Sequence, residues 1–381
     1  MVTYPTDWEI TTVEKVSHIG TGCRDTQDNV KGGKYPFYVR SNIVERINVA
    51  DYDCEAILTA GDGVGTGKVY HYVNGEFAAH QRVYVIKDFF GVDGRFFYYF
   101  FSHNFRKEVV KYTAKSSVDS VRRAMIANME FPKPSLPEQK AIAGTLSCID
   151  AHIANLTELI EKKKAIRNGA LDDLVSGRTR LKGFNDEWSE TELIKICKVF
   201  DGTHQTPKYT NSGIRFVSVE NIKNIYFSEK HISKQDYDRD FSVRPEKNDI
   251  LMTRIGDIGT PCIVTTDEPI AFYVSLALFK SIQINSLFLY YYIMGKSFQK
   301  ELDDRALHHA TPKKINKGEI GKCMVRYPVD EHEQEAIAST LLSLDTEITS
   351  LEEEKDKMLQ IKAGAMDDLL TGRIRLIRQG G

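Results

Sequence analysis

Sliding this chain along itself by 195 residues places EQKAIAGTLSCIDAHIANLTELIEKKKAIRNGALDDLVSGRTRL (138–181) over EQEAIASTLLSLDTEITSLEEEKDKMLQIKAGAMDDLLTGRIRL (333–376). Of the 44 positions, 22 are identical without a gap. A match of that length constrains the architecture first, because one sequence pattern must fold into the same unit twice. Each copy reads as a single long helix. Apolar residues recur with alternating three- and four-residue spacing at Ile142, Leu146, Ile149, Ile153, Leu156 and Ile160, then Ala170 and Leu174; the second copy repeats the seam at Ile337, Leu341, Leu344, Ile348 and Leu351, then Met358, Ala365 and Leu369. Ser135-x-x-Glu138 and Asp330-x-x-Glu333 place capping-box chemistry at the two starts. Gly177 and Gly372 suit the left-handed position just past the two ends. Helices over 136–175 and 331–370 would be rods of about 60 Å at about 1.5 Å per residue. Gly169 and Gly364 each cost about 1 kcal/mol inside a helix and are the weak points of the rods, where a bend could form.

A lone rod with one apolar stripe cannot stay exposed, and its own repeat is the nearest partner. Residues 328–381 carry six basic and twelve acidic side chains, a net of −6, whereas 134–182 carries eight and six, a net of +2. Opposite charge and high effective concentration favour pairing within the chain over a coiled coil with another chain. Lys163, Arg167, Lys355 and Lys362 fall on the seam, where apolar residues would pack better; solvated flanks and functional contacts both account for them.

A globular region of mixed strand and helix pattern precedes each rod, and the two regions are distantly related. Asp7-Trp8 opens one and Glu187-Trp188 the other. AILTAGDGVGT (56–66) resembles DILMTRIGDIGT (249–260), and aromatic helical runs follow both, RFFYYFFSHNFRKEV and LFLYYYIMGKSFQKEL. Phe96, Phe97, Tyr98, Tyr99 and Tyr290, Tyr291, Tyr292 are read as core. The expected order is a first globule over 1–134, a rod over 135–182, a second globule over 183–329 and a rod over 330–381. The fold class is α+β: two mixed α/β domains separated by two long antiparallel coiled-coil helices.

Composition excludes several classes. At 381 residues, 41% hydrophobic and 27% charged, the chain is globular rather than disordered or collagen-like. No apolar run approaches the roughly 20 residues of a membrane span, and the start lacks a signal-peptide pattern, so a cytoplasmic protein without membrane association is expected. Six separated cysteines give neither a zinc ribbon nor a disulfide framework. GDGVGTGKVY (61–70) fails the phosphate-loop spacing, since Val69 follows Lys68 where Ser or Thr should bind magnesium; a pair of tight turns is the better reading. No Asn-Pro dipeptide supplies an amino-methyltransferase pocket, Glu161-Lys162-Lys163 lies on the rod, and adjacent His308-His309 make a poor metal clip. No catalytic constellation, cofactor site or metal site is found. Net charge is −2, so any basic surface must be local.

The rod ends LDDLVSGRTRL and MDDLLTGRIRL, the Pro, Glu-Gln, Ala-Ile-Ala entrances, GFNDEWSETEL (183–193) and DGTHQTPKYTNSGIRFVSVENI (201–222) together resemble the DNA-specificity subunit of type I restriction-modification systems. The resemblance implies that each globule is a target-recognition domain and that the rods pack antiparallel. It also implies a non-catalytic subunit that binds double-stranded DNA, two modification (methyltransferase) subunits and, through them, the restriction (motor-nuclease) subunits. S-adenosylmethionine, ATP and magnesium would then belong to those partners. Two unlike heads held by paired rods would read an asymmetric bipartite site, with the rods as ruler and docking surface. A coiled-coil protein that bridges partners without reading DNA is the alternative. Local basic and aromatic clusters nominate DNA contacts. In the second globule they are Thr203, His204, Gln205, Thr206, Lys208, Tyr209, Arg254, His308, His309, Thr311 and Lys313. In the first they are Arg24, Lys34, Tyr38, Arg40, Lys68, His71, Tyr72, Gln81 and Arg82.

Overall fold

The computed structural model describes residues 4–113 and 120–377; the outermost residues of the first and last expected segments lie outside them. Both rods are present, as unbroken helices over Leu136–Val175 and Glu331–Leu369. Neither helix is interrupted at Gly169 or Gly364, where an added Cβ would meet only open space. The chain divides into two compact units, Met1–Thr157 with Glu353–Gly381, and Glu158–Glu352. The division cuts both rods, so each unit joins one globule to a portion of either rod.

In the first unit, strands His18–Thr21, Val83–Lys87, Tyr52–Ala60, Tyr70–Ala79, Tyr35–Tyr38 and Val44–Ile47 form a six-stranded sheet in that spatial order. All neighbours are antiparallel except Tyr35–Tyr38 beside Tyr70–Ala79. The aromatic run forms the helix Gly94–Thr113. Phe97, Phe101 and Phe105 recur at four-residue intervals, and their rings stack at 5.7 and 4.4 Å. These phenylalanines are fully buried beside Ile142 and Leu146 of the first rod and Leu369 of the second. Each contributes about 1.5–3 kcal/mol of burial.

The second unit repeats this plan with one strand divided. Lys198–Asp201, Leu276–Lys280, Ile250–Thr253 and Pro261–Ile263 form one four-stranded sheet; Tyr209–Thr210, His231–Ile232, Ile214–Val217 and Ile270–Phe272 form another. The parallel pair Ile214–Val217 with Ile270–Phe272 matches the parallel pair of the first unit. The aromatic run is broken into Ser286–Met294 and Lys296–Arg305 at Gly295, whose backbone is extended and which lies where a Cβ would come within 2.7 Å of Val175 on the first rod. Tyr291 and Tyr292 are buried as expected, and Tyr290, like Tyr98 of the first unit, is half-buried. In each globule a two-stranded ribbon delivers the chain to its rod: Glu9–Thr12 with Glu130–Lys133, and Trp188–Glu192 with Met324–Pro328.

The rods pair antiparallel within each unit. In the second, Lys163 meets Glu347 at 2.7 Å and Arg167 meets Asp345 at 2.7 Å, so numbering rises on one rod as it falls on the other. In the first, Asp150 meets Lys362 at 2.6 Å and His152 meets Glu354 at 3.1 Å. The polar interval on the seam is therefore largely ion-paired, with Lys163, Arg167 and Lys362 all bonded across it. The apolar seam is not one continuous stripe. Ile142, Leu146, Ile337 and Leu341 are buried into the globule cores, Leu156, Ile160 and Ile348 are also buried, and Ile149, Ile153, Leu344 and Leu351 stay half-exposed.

The helix starts differ from expectation in one respect. Asp330 Oδ1 accepts the His332 N–H at 2.9 Å as a cap should, but Glu138 and Glu333 are engaged elsewhere. Arg180, just past the first rod, donates to both Glu333 oxygens at 2.5 and 2.7 Å at the start of the second. Arg375, just past the second rod, binds Glu138 at the start of the first and adds Asp7 at 2.9 Å. Glu333 is 0% and Glu138 2% exposed. Gly177 and Gly372, both at φ +71°, turn the chain so that these arginines point back, each 5.7 Å from the ring of Trp188 or Trp8. The adjoining glutamines are also spent: Gln139 accepts the Asp93 N–H at 2.8 Å and Gln334 the Asn285 N–H at 2.7 Å, fastening the start of each aromatic helix.

Candidate nucleic-acid interface

In the second globule, three loops converge on Arg254. Its guanidinium pairs with Asp201 and donates from Nε to the Ile315 carbonyl at 3.2 Å, and its N–H bonds the Ser275 carbonyl at 2.9 Å. The Gly256 N–H reaches the Lys313 carbonyl at 2.8 Å, and Thr203 bonds in turn to Phe272 and Val274. Arg254 is 6% exposed. It is placed as a strut beneath the rim, because its buried guanidinium is committed to Asp201 and the Ile315 carbonyl. His204, Gln205, Thr206, Lys208, His308, His309 and Thr311 stand exposed on the loops it braces. Lys313 is half-buried and paired with Asp303, whose carbonyl lies 2.9 Å from His308 Nε2. Tyr209 is 43% exposed, with one ring edge on Phe216 at 5.6 Å and the Lys230 ammonium 5.8 Å from its ring. That combination of an open aromatic face and a nearby cation suits a base or sugar contact.

The first globule brings together four of its nine nominated residues, Arg24, Arg40, Gln81 and Arg82. The Gln81 N–H bonds the Arg24 carbonyl at 2.8 Å and its side chain the Asp25 carboxylate at 3.1 Å. Arg40 and Arg82 share Asp62, at 2.7 and 3.6 Å, and the His80 N–H ties this turn to the Tyr38 carbonyl at 2.9 Å. Arg24 is bidentate to Asp51 and its side chain is 30% exposed, whereas Arg40 and Arg82 are 46% and 65% exposed. Pairs that open to water are worth about 0–1 kcal/mol, so a phosphate can take Arg40 or Arg82 from Asp62 at little expense.

Five nominated residues have other surroundings. Tyr38 is 9% exposed and packs on Phe77 and His71, so it is core. His71 lies 3.1 Å from the Ser41 carbonyl, and burial holds its pKa below the usual histidine value, so it is a neutral hairpin brace without charge for a phosphate. Tyr72 donates to Glu55 at 2.7 Å, carries Arg95 over its ring at 4.4 Å and lines a cleft of about 450 Å³ with Tyr98 and Ser147 of the first rod. Lys34 bonds the Tyr35 hydroxyl at 2.6 Å. Lys68 remains on the exposed Gly-rich loop.

That loop also holds a residue the sequence reading passed over. Val64 is 93% exposed at its tip, with Gly63 and Gly67 at φ +74° and +64° and Arg40 beside Gly63. Ile43, 70% exposed, stands on the hairpin that His71 braces. The signal is an aliphatic residue among four glycines, in a stretch that reads as a pair of tight turns.

Comparison with known proteins decides what the two rims belong to. The description "type I restriction modification DNA specificity domain" fits residues 5–165 and, a second time, 185–360. The chain belongs to this family. Both matches run from a globule into its rod. The specificity subunit of the type I restriction enzyme MjaVIII from Methanocaldococcus jannaschii is 23% identical over 98% of this chain and 94% of its own length. In fold, the type I restriction-modification S subunit from M. genitalium superposes with a TM-score of 0.67 at 18% identity, covering 95% of this chain and 96% of that one. A chain from the structural study of complex assembly and conformational transition of the type I R-M system gives 0.59 at 13% identity, covering 98% and 100%. Among the described residues no cluster of metal-ligating side chains occurs, and no helix is long and apolar enough to cross a membrane.

Proposed function

We propose that this chain is the DNA-reading subunit of a type I restriction-modification complex and performs no chemistry itself. One observation carries the reading: the scaffold is built twice from matched residues, while the loop rims it supports present different side chains, Arg40, Val64, Lys68 and Arg82 in one and His204, Lys208, Tyr209 and His308 in the other. Matched scaffolds with unlike rims suit two unlike half-sites, so the target is bipartite and asymmetric, and the paired rods set the gap between its halves. The duplicated scaffold suits two modification subunits, and the names of the relatives, specificity subunits of type I restriction enzymes, support assembly with restriction subunits. S-adenosylmethionine, ATP and magnesium act on those partners.

Contacts fall into two groups. Lys208, Arg40, Arg82 and Lys68 meet phosphates and set position, while His204, Gln205, Thr206, Tyr209, His308, His309, Thr311 and Gln81 face base edges or sugars. Val64 joins the second group, because an aliphatic side chain on a projecting loop fits the thymine methyl in the major groove. Val64→Ser is expected to reduce discrimination at one base pair of one half-site by roughly fourfold, about 0.8 kcal/mol for one buried methyl group. Competition binding against single-base variants of the target measures this, and an equal loss at every position would assign Val64 to nonspecific contact.

The reading itself is tested by reconstitution. The purified chain should transfer no methyl group, and adding its modification subunit should produce methylation of duplexes carrying the split target but not of scrambled ones. Methyl transfer by the chain alone, or binding indifferent to sequence, would sink it.

A further inference from the structure

Away from both rims, the two units share a polar group, a buried tyrosine on a partly exposed ion pair, that neither DNA contact nor apolar packing explains. Tyr291, 1% exposed on the second aromatic helix, donates from Oη to Asp345 Oδ2 at 2.8 Å. Asp345 lies on the second rod and also receives Arg167 of the first rod, Nε at 2.7 Å and Nη2 at 3.2 Å. One carboxylate therefore joins the globule, the rod that follows it and the opposing rod. The first unit holds the counterpart. Tyr99 Oη donates to Asp150 Oδ2 at 2.8 Å, and Lys362 Nζ bonds Asp150 Oδ1 at 2.6 Å. Asp150 and Asp345 stand 195 residues apart, as do Arg167 and Lys362, whereas the tyrosines lie outside the repeated stretch. Burial, and then the bonded carboxylate, push the pKa of Tyr291 well up; burial and Asp150 do the same for Tyr99, so each phenol remains a donor.

Such a group is a poor choice for stability alone. An ion pair this open to water is worth about 0–1 kcal/mol, while polar groups set into an apolar interface are best attested as devices that fix register. Aromatic packing of a helix on a rod tolerates sliding; a charge-assisted hydrogen bond with fixed direction does not. We infer that Tyr99–Asp150–Lys362 and Tyr291–Asp345–Arg167 are positioning groups that fix each reading head on the rod pair, and so determine which gap between half-sites the complex accepts. The inference rests on the bipartite reading above. Lys362 makes a single bond where Arg167 makes two, so the second head is the more firmly held.

The experiment uses the full chain with its modification subunit. Methyl transfer is measured on duplexes carrying the mapped target with its natural gap and with gaps one base pair shorter and longer. Tyr291→Phe leaves both half-site sequences unchanged and lowers discrimination against the altered gaps about tenfold, the worth of one hydrogen bond to a charged group. Tyr99→Phe does the same through the first head and serves if the other variant does not fold. Tyr292→Phe is the structural control. It removes a phenol from the same helix that meets the Arg326 N–H at 3.0 Å and touches no rod carboxylate, and it leaves gap discrimination intact. Wild-type gap discrimination in Tyr291→Phe and Tyr99→Phe, or an equal loss in Tyr292→Phe, overturns the inference alone. Failure of the wild-type complex to methylate any split duplex overturns the bipartite reading with it.

Discussion

Replacing Arg180 with alanine is expected to destabilise the second unit by about 3–5 kcal/mol, because it strands the Glu333 carboxylate, 0% exposed, without its partner. Two charge-assisted bonds at 2.5 and 2.7 Å are lost from a carboxylate that the folded chain keeps from solvent. For a unit of this size the melting temperature should fall on the order of 10 °C, measured by calorimetry on the purified chain. Arg178→Ala is the matched control. Its partner Asp173 is 48% exposed, and an ion pair in that setting is worth about 0–1 kcal/mol. Arg180→Met combined with Glu333→Leu should recover most of the loss, since the cost lies in an uncompensated buried charge and not in the missing pair. A drop of under about 2 °C in Arg180→Ala would mean that the lock contributes nothing beyond a surface pair.

Exchanging residues 183–327 for the corresponding segment of another family member is expected to replace one half-site completely and leave the other half and the gap unchanged. The polar scaffold groups Arg180, Glu333, Gln334, Asp345 and Arg167 stay outside the exchanged segment, and the incoming globule must match the residues that meet them and the rods, Tyr291, Trp188, Gly295 and Lys296 among them. The readout is the set of methylated sequences before and after exchange. A simultaneous change in both halves would contradict independent heads.

The rods were legible in the sequence because their signals are local and occur twice. Helical periodicity, the glycines after each end and the identity of 22 positions depend on neighbours in the chain. The roles of individual polar residues depend on partners far along it, and there the reading was less complete. Glu138 and Glu333 have capping-box spacing, yet their carboxylates are captured by arginines 237 and 153 residues away. Arg254 looked like a basic contact because nothing nearby announces Asp201 or the Ile315 carbonyl. Tyr38 was nominated as an aromatic near bases, but its strand position buries it against Phe77. Val64 was missed for the opposite reason. The sequence shows a valine among glycines, and only the fold reveals that it projects beside Arg40.

The central claim is that two unlike heads on one duplicated scaffold read two separated halves of one site. Mapping the modified bases across the DNA of a host that expresses this chain with its modification subunit tests that claim most directly. The account predicts a single motif with two different specified halves, a constant unspecified gap between them, and loss of all such modification when this chain is removed. A continuous motif, a motif with two identical halves, or modification that persists without the chain would contradict it.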